Sequence, residues 1–253
     1  MIRSLNTIRG AGIRATDGEL GRCSDFLFDD RYWVIRYMVV DTRRWLPGRT
    51  ILVPPAVLKS YAWESDEMVV DLTVEAVKNS PPLETDKPIS QQYQERLFSH
   101  YQWPIHWAGS ESWASAPFTE TPVPPGSDTP SDKAPAPEES HLRSGREVAG
   151  YRIQATDDGI GHVEDFLVDE EKWTIRYIVV DTRNWLPGRK VLISPLWADI
   201  IDYRRAEMHL RMNRNAVENS PLYDPDKMLE RGDEEALYAH YAESPYWKHT
   251  PFR

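Results

Sequence analysis

Between Trp33 and Thr42 the chain reads Trp-Val-Ile-Arg-Tyr-Met-Val-Val-Asp-Thr, and the alternation of a strand puts Trp33, Ile35, Tyr37 and Val39 on one face. Val34, Arg36, Met38 and Val40 fall on the other. Both faces are largely apolar, so this strand is expected to be covered on both sides, inside a small barrel or between a barrel and something packed on its outside. Its Val, Ile and Tyr content suits a pleated, buried surface.

The neighbouring segments have shorter patterns. Ile13 to Thr16 alternates and ends in Asp17-Gly18, a dipeptide that accepts the positive φ of a tight hairpin turn. Glu19 to Asp29 leads through Asp30-Arg31 into the long strand. A turn centred there faces Phe28 with Trp33, Phe26 with Ile35 and Asp25 with Arg36, which predicts a cross-strand ion pair between Asp25 and Arg36. Pro47-Gly48 returns the chain into Thr50 to Val53. Two more short strands are predicted at Leu58 to Trp63 and Glu67 to Leu72, followed by a helical turn capped by Thr73 and ended by Ser80-Pro81. Gln91 to Tyr101 sets Tyr93, Leu97 and Tyr101 at helical spacing, giving one apolar stripe. The aromatic tail Trp103 to Trp107 is expected to lie against the barrel.

All of this occurs twice. Trp33 to Arg49 returns as Trp173 to Arg189, and a constant offset of 140 residues holds from Ile13/Ile153 to Trp107/Trp247 with roughly two-fifths of the pairs identical. The second copy repeats Asp165 and Arg176 as the pair expected to face each other, and its strands are predicted at Ala198 to Tyr203 and Glu207 to Met212. The organisation expected is residues 1–108 as one domain, a Pro-rich acidic linker at 109–147, and residues 148–253 as a second. Each domain is predicted as about six short strands with local connections and a C-terminal helix: all-β with short helices, two tandem small antiparallel barrels in a pseudo-twofold arrangement, a fused dimer.

Composition narrows the function classes. One cysteine, Cys23, excludes a disulfide framework and fits a reducing compartment. With no apolar run near membrane-helix length, the reading is a soluble, cytoplasmic protein. A net charge of −10 without a basic segment argues against general nucleic-acid binding.

Candidate chemistry is sparse. Ser24 and Ser60 are not repeated and have no histidine at a recognisable spacing. His100 and His240 correspond but belong to no shared ligand pair. Gly10-Ala11-Gly12 lacks the rest of a phosphate loop. Four acidic positions recur: Asp17/Asp157, Asp25/Asp165, Asp29/Asp169 and Asp41/Asp181. The first and third fall in turns, where aspartate serves local backbone hydrogen bonds, and the second has the arginine expected opposite it. Asp41 and Asp181 stay open as weak ligand candidates. The turns Trp45-Leu46-Pro47-Gly48-Arg49 and Trp185-Leu186-Pro187-Gly188-Arg189 have the composition of interface anchors, so Trp45, Leu46, Arg49, Trp185, Leu186 and Arg189 are the candidate interaction residues. Alternatively, the tryptophan closes the barrel end and the arginine pairs with Asp41.

The stretches ATDGELGRCSDFLFDD, WVIRYMVVDTRRWLPGRTILVPP and EMVVDLTVEAVKNSP resemble the PRC-barrel domain. That family is named after the cytoplasmic domain of the photosynthetic reaction centre H subunit and also forms the C-terminal domain of a ribosome maturation factor. The second copy departs at the close, with HLRMNRNAVENSP, so any role of Asp71 and Glu75 is not shared. The resemblance implies a soluble bacterial protein of two such barrels, without a cofactor, acting as a non-enzymatic protein-interaction or assembly module. Two alternatives stay open: binding of a ribosomal protein, and a small-molecule or metal site between the barrels.

Overall fold

The computed structural model describes residues 1–42, 46, 49–62, 65–83, 91–103, 141–182 and 189–248. It is mostly β-sheet with a few short helices. The strands are β1 (Ile2–Ser4), β2 (Gly12–Arg14), β3 (Glu19–Asp29), β4 (Val34–Asp41), β5 (Thr50–Val53), β6 (Leu58–Ala62) and β7 (Glu67–Val70), then β8 (Leu142–Ser144), β9 (Arg152–Gln154), β10 (Gly159–Asp169), β11 (Thr174–Asp181), β12 (Lys190–Ile193), β13 (Ala198–Asp202) and β14 (Glu207–Leu210). The helices are α1 (Leu5–Ile8), α2 (Val74–Lys78), α3 (Gln91–Tyr101), α4 (Gly145–Val148), α5 (Arg214–Glu218) and α6 (Arg231–His240). Among the described residues no helix is long and apolar enough to cross a membrane.

The chain divides into two compact units that follow the two copies, with a reciprocal exception. The first-copy unit is Ile8–Ser144 with Glu171–Thr174, and the second-copy unit is Met1–Thr7 with Gly145–Glu170 and Ile175–Arg253. Each unit thus contains a strand contributed by the other copy. The segment expected to be a linker through residue 147 also differs: its end forms β8 and the start of α4.

Within the first-copy unit the ladder runs β6-β7-β2-β3-β4-β5, with β8 on the remaining length of the β3 edge. β2 and β7 are parallel and the other pairs antiparallel. The second-copy unit repeats this as β13-β14-β9-β10-β11-β12, with β1 on β10. Among the described residues the pairings do not close: the ladders end at β5 and β6 in one unit and at β12 and β13 in the other.

β4 is buried as its pattern requires. Ile35, Tyr37, Met38 and Val40 have no more than 1% of their surface exposed. Tyr37 and Leu52 form one apolar cluster with Tyr93, Leu97 and Phe98 of α3, and Val39, Tyr101 and Trp103 pack at its margin. The stripe of α3 is therefore what covers the outer face of the strand. Each such large side chain taken out of water contributes about 1.5–3 kcal/mol. The rest of that tail, from Pro104 to Trp107, lies outside the described residues.

The β3–β4 register differs from the expected one. Phe28 lies opposite Ile35 and Phe26 opposite Met38, and Asp25 faces Val39 instead of Arg36. Trp33 takes a left-handed φ of 56°, so the turn extends over Asp30 to Trp33, and bulges at Cys23/Asp25 and Leu27/Phe28 shift the pairing further. Phe28 and Trp33 still meet, as stacked rings 5.2 Å apart.

Candidate interaction site

The WLPGR loop begins where β4 ends. The buried Thr42 donates its hydroxyl to the Arg49 carbonyl at 2.9 Å, and Thr182 does the same to Arg189 at 2.9 Å. The same side-chain hydrogen bond therefore closes the base of the loop in each copy. Leu46 N donates to the Thr42 carbonyl at 2.9 Å, one turn inside that closure. Trp45, Trp185 and Leu186 lie outside the described residues.

The two arginines have specific partners. Arg49 donates through Nη1 to the Lys78 carbonyl at 2.7 Å and through Nη2 to that of Ser80, at the C-terminal end of α2. Arg189 reaches the Ser220 carbonyl after α5 at 3.3 Å. A helix C-terminus presents carbonyls without intrahelical donors and the negative end of the helix dipole, and a guanidinium satisfies both. The recorded partners of Arg49 are thus backbone carbonyls, where the sequence suggested Asp41.

Asp41 is half-buried at the end of β4, and Asp181 is buried with His162 Nε2 at 3.7 Å from its carboxylate. Their backbones meet a glycine. A Cβ on Gly21 would stand 2.0 Å from the Asp41 carbonyl oxygen, and one on Gly161 the same distance from that of Asp181.

Arg36 Nη2 lies 3.7 Å from Asp29, and Arg176 Nη2 3.2 Å from Asp169, so the arginine of the long strand meets the aspartate at the end of the preceding strand in both units. Burial lowers the pKa of the Arg36 guanidinium, opposed by the nearby Asp29 carboxylate. Cys23 is buried and its thiol pKa is raised by loss of solvent, then by Asp25, which makes it a poor nucleophile.

Asp25 and Asp165 serve the exchanged strands. In the second-copy unit, Ile2-Arg3-Ser4 pairs antiparallel with Leu167-Val168-Asp169. Ser4 donates its hydroxyl to Asp165, whose other oxygen accepts from Asn6 N at 3.1 Å. Arg3 Nε meets Glu170 at 3.1 Å, and Glu170 N donates to the Met1 carbonyl at 3.0 Å. In the first-copy unit, Leu142-Arg143-Ser144 pairs with Leu27-Phe28-Asp29. Ser144 donates to Asp25, Arg143 Nε meets Asp30 at 2.9 Å, and Asp30 N donates to the His141 carbonyl at 2.9 Å. The sequence reading missed these arms. Its signal was the same offset of 140 carried further back, to Ile2-Arg3-Ser4 and Leu142-Arg143-Ser144.

The histidines also correspond in structure. His100 donates through Nε2 to the Ala76 carbonyl at 2.9 Å, and His240 to that of Ala216 at 2.7 Å, fastening α3 to α2 and α6 to α5.

α6 carries a denser polar cluster. The buried Glu234 accepts from Tyr177 at 2.8 Å and Tyr246 at 3.0 Å through Oε1, and pairs with Arg231 at 2.8 Å through Oε2. Arg176 lies over the Tyr246 ring and Arg231 over Trp247, each 4.0 Å from the ring centre. In the first-copy unit Gln94 stands at the place of Glu234 and accepts from Tyr37 at 3.0 Å.

Residues 141–206 match the family model of the PRC-barrel domain. The match falls on the second copy and begins at its arm. No curated protein matches the chain.

Proposed function

We propose that this chain is a non-catalytic protein-interaction or assembly module built of two barrels of the PRC type, one per copy. The observation that carries the reading is the PRC-barrel match over residues 141–206, a domain that generally serves protein interaction. Extending it to the first copy is supported by the offset of 140 residues, which reproduces the same hydrogen bonds at Thr42/Thr182, Arg49/Arg189 and His100/His240. Because Arg49 and Arg189 are engaged with backbone carbonyls, the partner-binding role is assigned to Trp45 with Leu46 and Trp185 with Leu186. A tryptophan beside a leucine in a turn has the composition of an interface anchor.

The test is affinity capture of the native chain from its source cell beside a folded Trp45→Ala, Trp185→Ala variant. A partner recovered by the native form and lost by the variant supports the reading. Identical recovery by both forms assigns these turns a purely structural role and overturns it.

A further inference from the structure

The arm seats carry a second inference, which does not depend on the role of the WLPGR turns. Each seat has three elements. The edge of β3 or β10 supplies the backbone ladder, a carboxylate at its end takes an arginine (Asp30 or Glu170), and an inner carboxylate takes a serine hydroxyl (Asp25 or Asp165). In the first arm the serine also caps the turn that follows, Ser4 Oγ accepting from Thr7 N at 3.2 Å. The seat therefore selects an extended apolar-Arg-Ser segment leading into a helical turn, an instance of strand addition with side-chain specificity.

Within this chain that segment occurs at Ile2-Arg3-Ser4 and Leu142-Arg143-Ser144. The PRC-barrel match begins at residue 141, so by sequence the second arm belongs to the second copy, while in the structure it is a strand of the first-copy unit. The first arm is exchanged in the opposite sense. None of the contacts that hold an arm depends on which polypeptide supplies it. Only effective concentration favours the arm of the same chain.

We infer that the seats on β3 and β10 are self-association sites whose external partner is the arm of a second copy of this chain, so that two chains assemble by donating arms to each other.

Complementation tests this. One full-length variant, Arg3→Ala with Ser4→Ala, keeps the β10 seat but lacks a competent first arm. Another, Asp165→Ala with Glu170→Ala, keeps the arm but lacks that seat. Each alone is expected to sediment as a single chain at micromolar concentration. Mixed, they should form a species of doubled mass that excess peptide of residues 1–8 disperses and the same peptide carrying Arg3→Ala and Ser4→Ala does not. A mixture of two folded variants, verified by circular dichroism, that keeps the mass of single chains overturns the inference. If either variant fails to fold, the native chain is refolded with excess labelled peptide of residues 1–8. Retention of that peptide at least tenfold above the Ala-substituted peptide supports the inference, and equal retention or none overturns it.

Discussion

Asp17 caps a helix that begins 57 residues later: its carboxylate accepts from Val74 N, the first residue of α2, at 2.8 Å. Asp157 does the same for Arg214 N of α5 at 2.7 Å. Thr73 and Asn213 act as the local caps, accepting from Ala76 N at 3.1 Å and Ala216 N at 2.9 Å. Each helix start thus has two acceptors, one local and one reaching across from a turn, β2–β3 for α2 and β9–β10 for α5. Sequence reading assigned the local cap at Thr73 and gave Asp17 a purely local role. Losing a capping side chain costs about 1 kcal/mol. Asp17→Ala and Thr73→Ala are each expected to lower stability by about that amount and Asp17→Asn by less, read from urea midpoints at constant slope. An Asp17→Ala variant as stable as the native chain would remove the long-range cap from the argument.

The Tyr177–Glu234 bond and its counterpart Tyr37–Gln94 anchor the two C-terminal helices with different chemistry. Glu234 answers two hydroxyls and the Arg231 guanidinium, whereas a glutamine oxygen can answer the hydroxyls alone. Glu234→Gln copies the first-copy arrangement and is expected to cost about 1 kcal/mol, the lost charge-assisted pair being half-exposed on its arginine side. Glu234→Leu leaves the Tyr177 hydroxyl buried without its acceptor, for a cost of about 3 kcal/mol. Equal melting of the Gln and Leu variants would show that the oxygen is not what holds the helix.

The contrast between well-read and missed features has a physical basis. The long strand was legible because Val34 to Val40 is an almost unbroken apolar run rich in Val, Ile and Tyr, and α3 because Tyr93, Leu97 and Tyr101 answer to the helical period. The pairing of Asp25 was not, because register depends on φ at one residue, Trp33, and on two bulges, none of which alters hydrophobic periodicity. Tryptophan in the left-handed region is uncommon, so the residue type does not mark the turn. The arms were missed for a different reason. Three residues carry too little periodicity to mark a strand, and their partners lie more than a hundred residues away in sequence.

Two glycines with positive φ separate steric from conformational cost. Gly21 has φ +139° and no room for a Cβ against the Asp41 carbonyl, while Gly10 has φ +97° and nothing within 4 Å. Gly10→Ala meets only backbone strain, about 1 kcal/mol. Gly21→Ala must also displace the backbone of β4 and is expected to cost at least about 3 kcal/mol, with Gly161→Ala alike in the second-copy unit. Comparable midpoints for Gly10→Ala and Gly21→Ala would mean that the β4 backbone at Asp41 yields freely.

The tyrosines set the response to alkali. Burial is the leading cause that raises Tyr93, Tyr223, Tyr241 and Tyr246 from 10.0 to about 12, and it raises Tyr37 and Tyr177 further still. At Tyr177 the Glu234 carboxylate adds to the effect of burial. A raised pKa means that the folded state retains a proton the unfolded chain releases above pH 10. The contribution is therefore fully present below pH 10 and declines as pH rises from 10 through 12 and beyond, with a slope of up to about 1.4 kcal/mol per pH unit for a buried group such as Tyr93 and less for the partly exposed Tyr223 and Tyr246, which solvent screens. Urea unfolding between pH 8 and 12 should show a plateau followed by a fall. Tyr93→Phe removes one titrating group whose hydroxyl makes a 3.3 Å bond to the Pro81 carbonyl, so it should flatten the fall while costing little at pH 8. Stability that stays level up to pH 12 would contradict the burial of these hydroxyls.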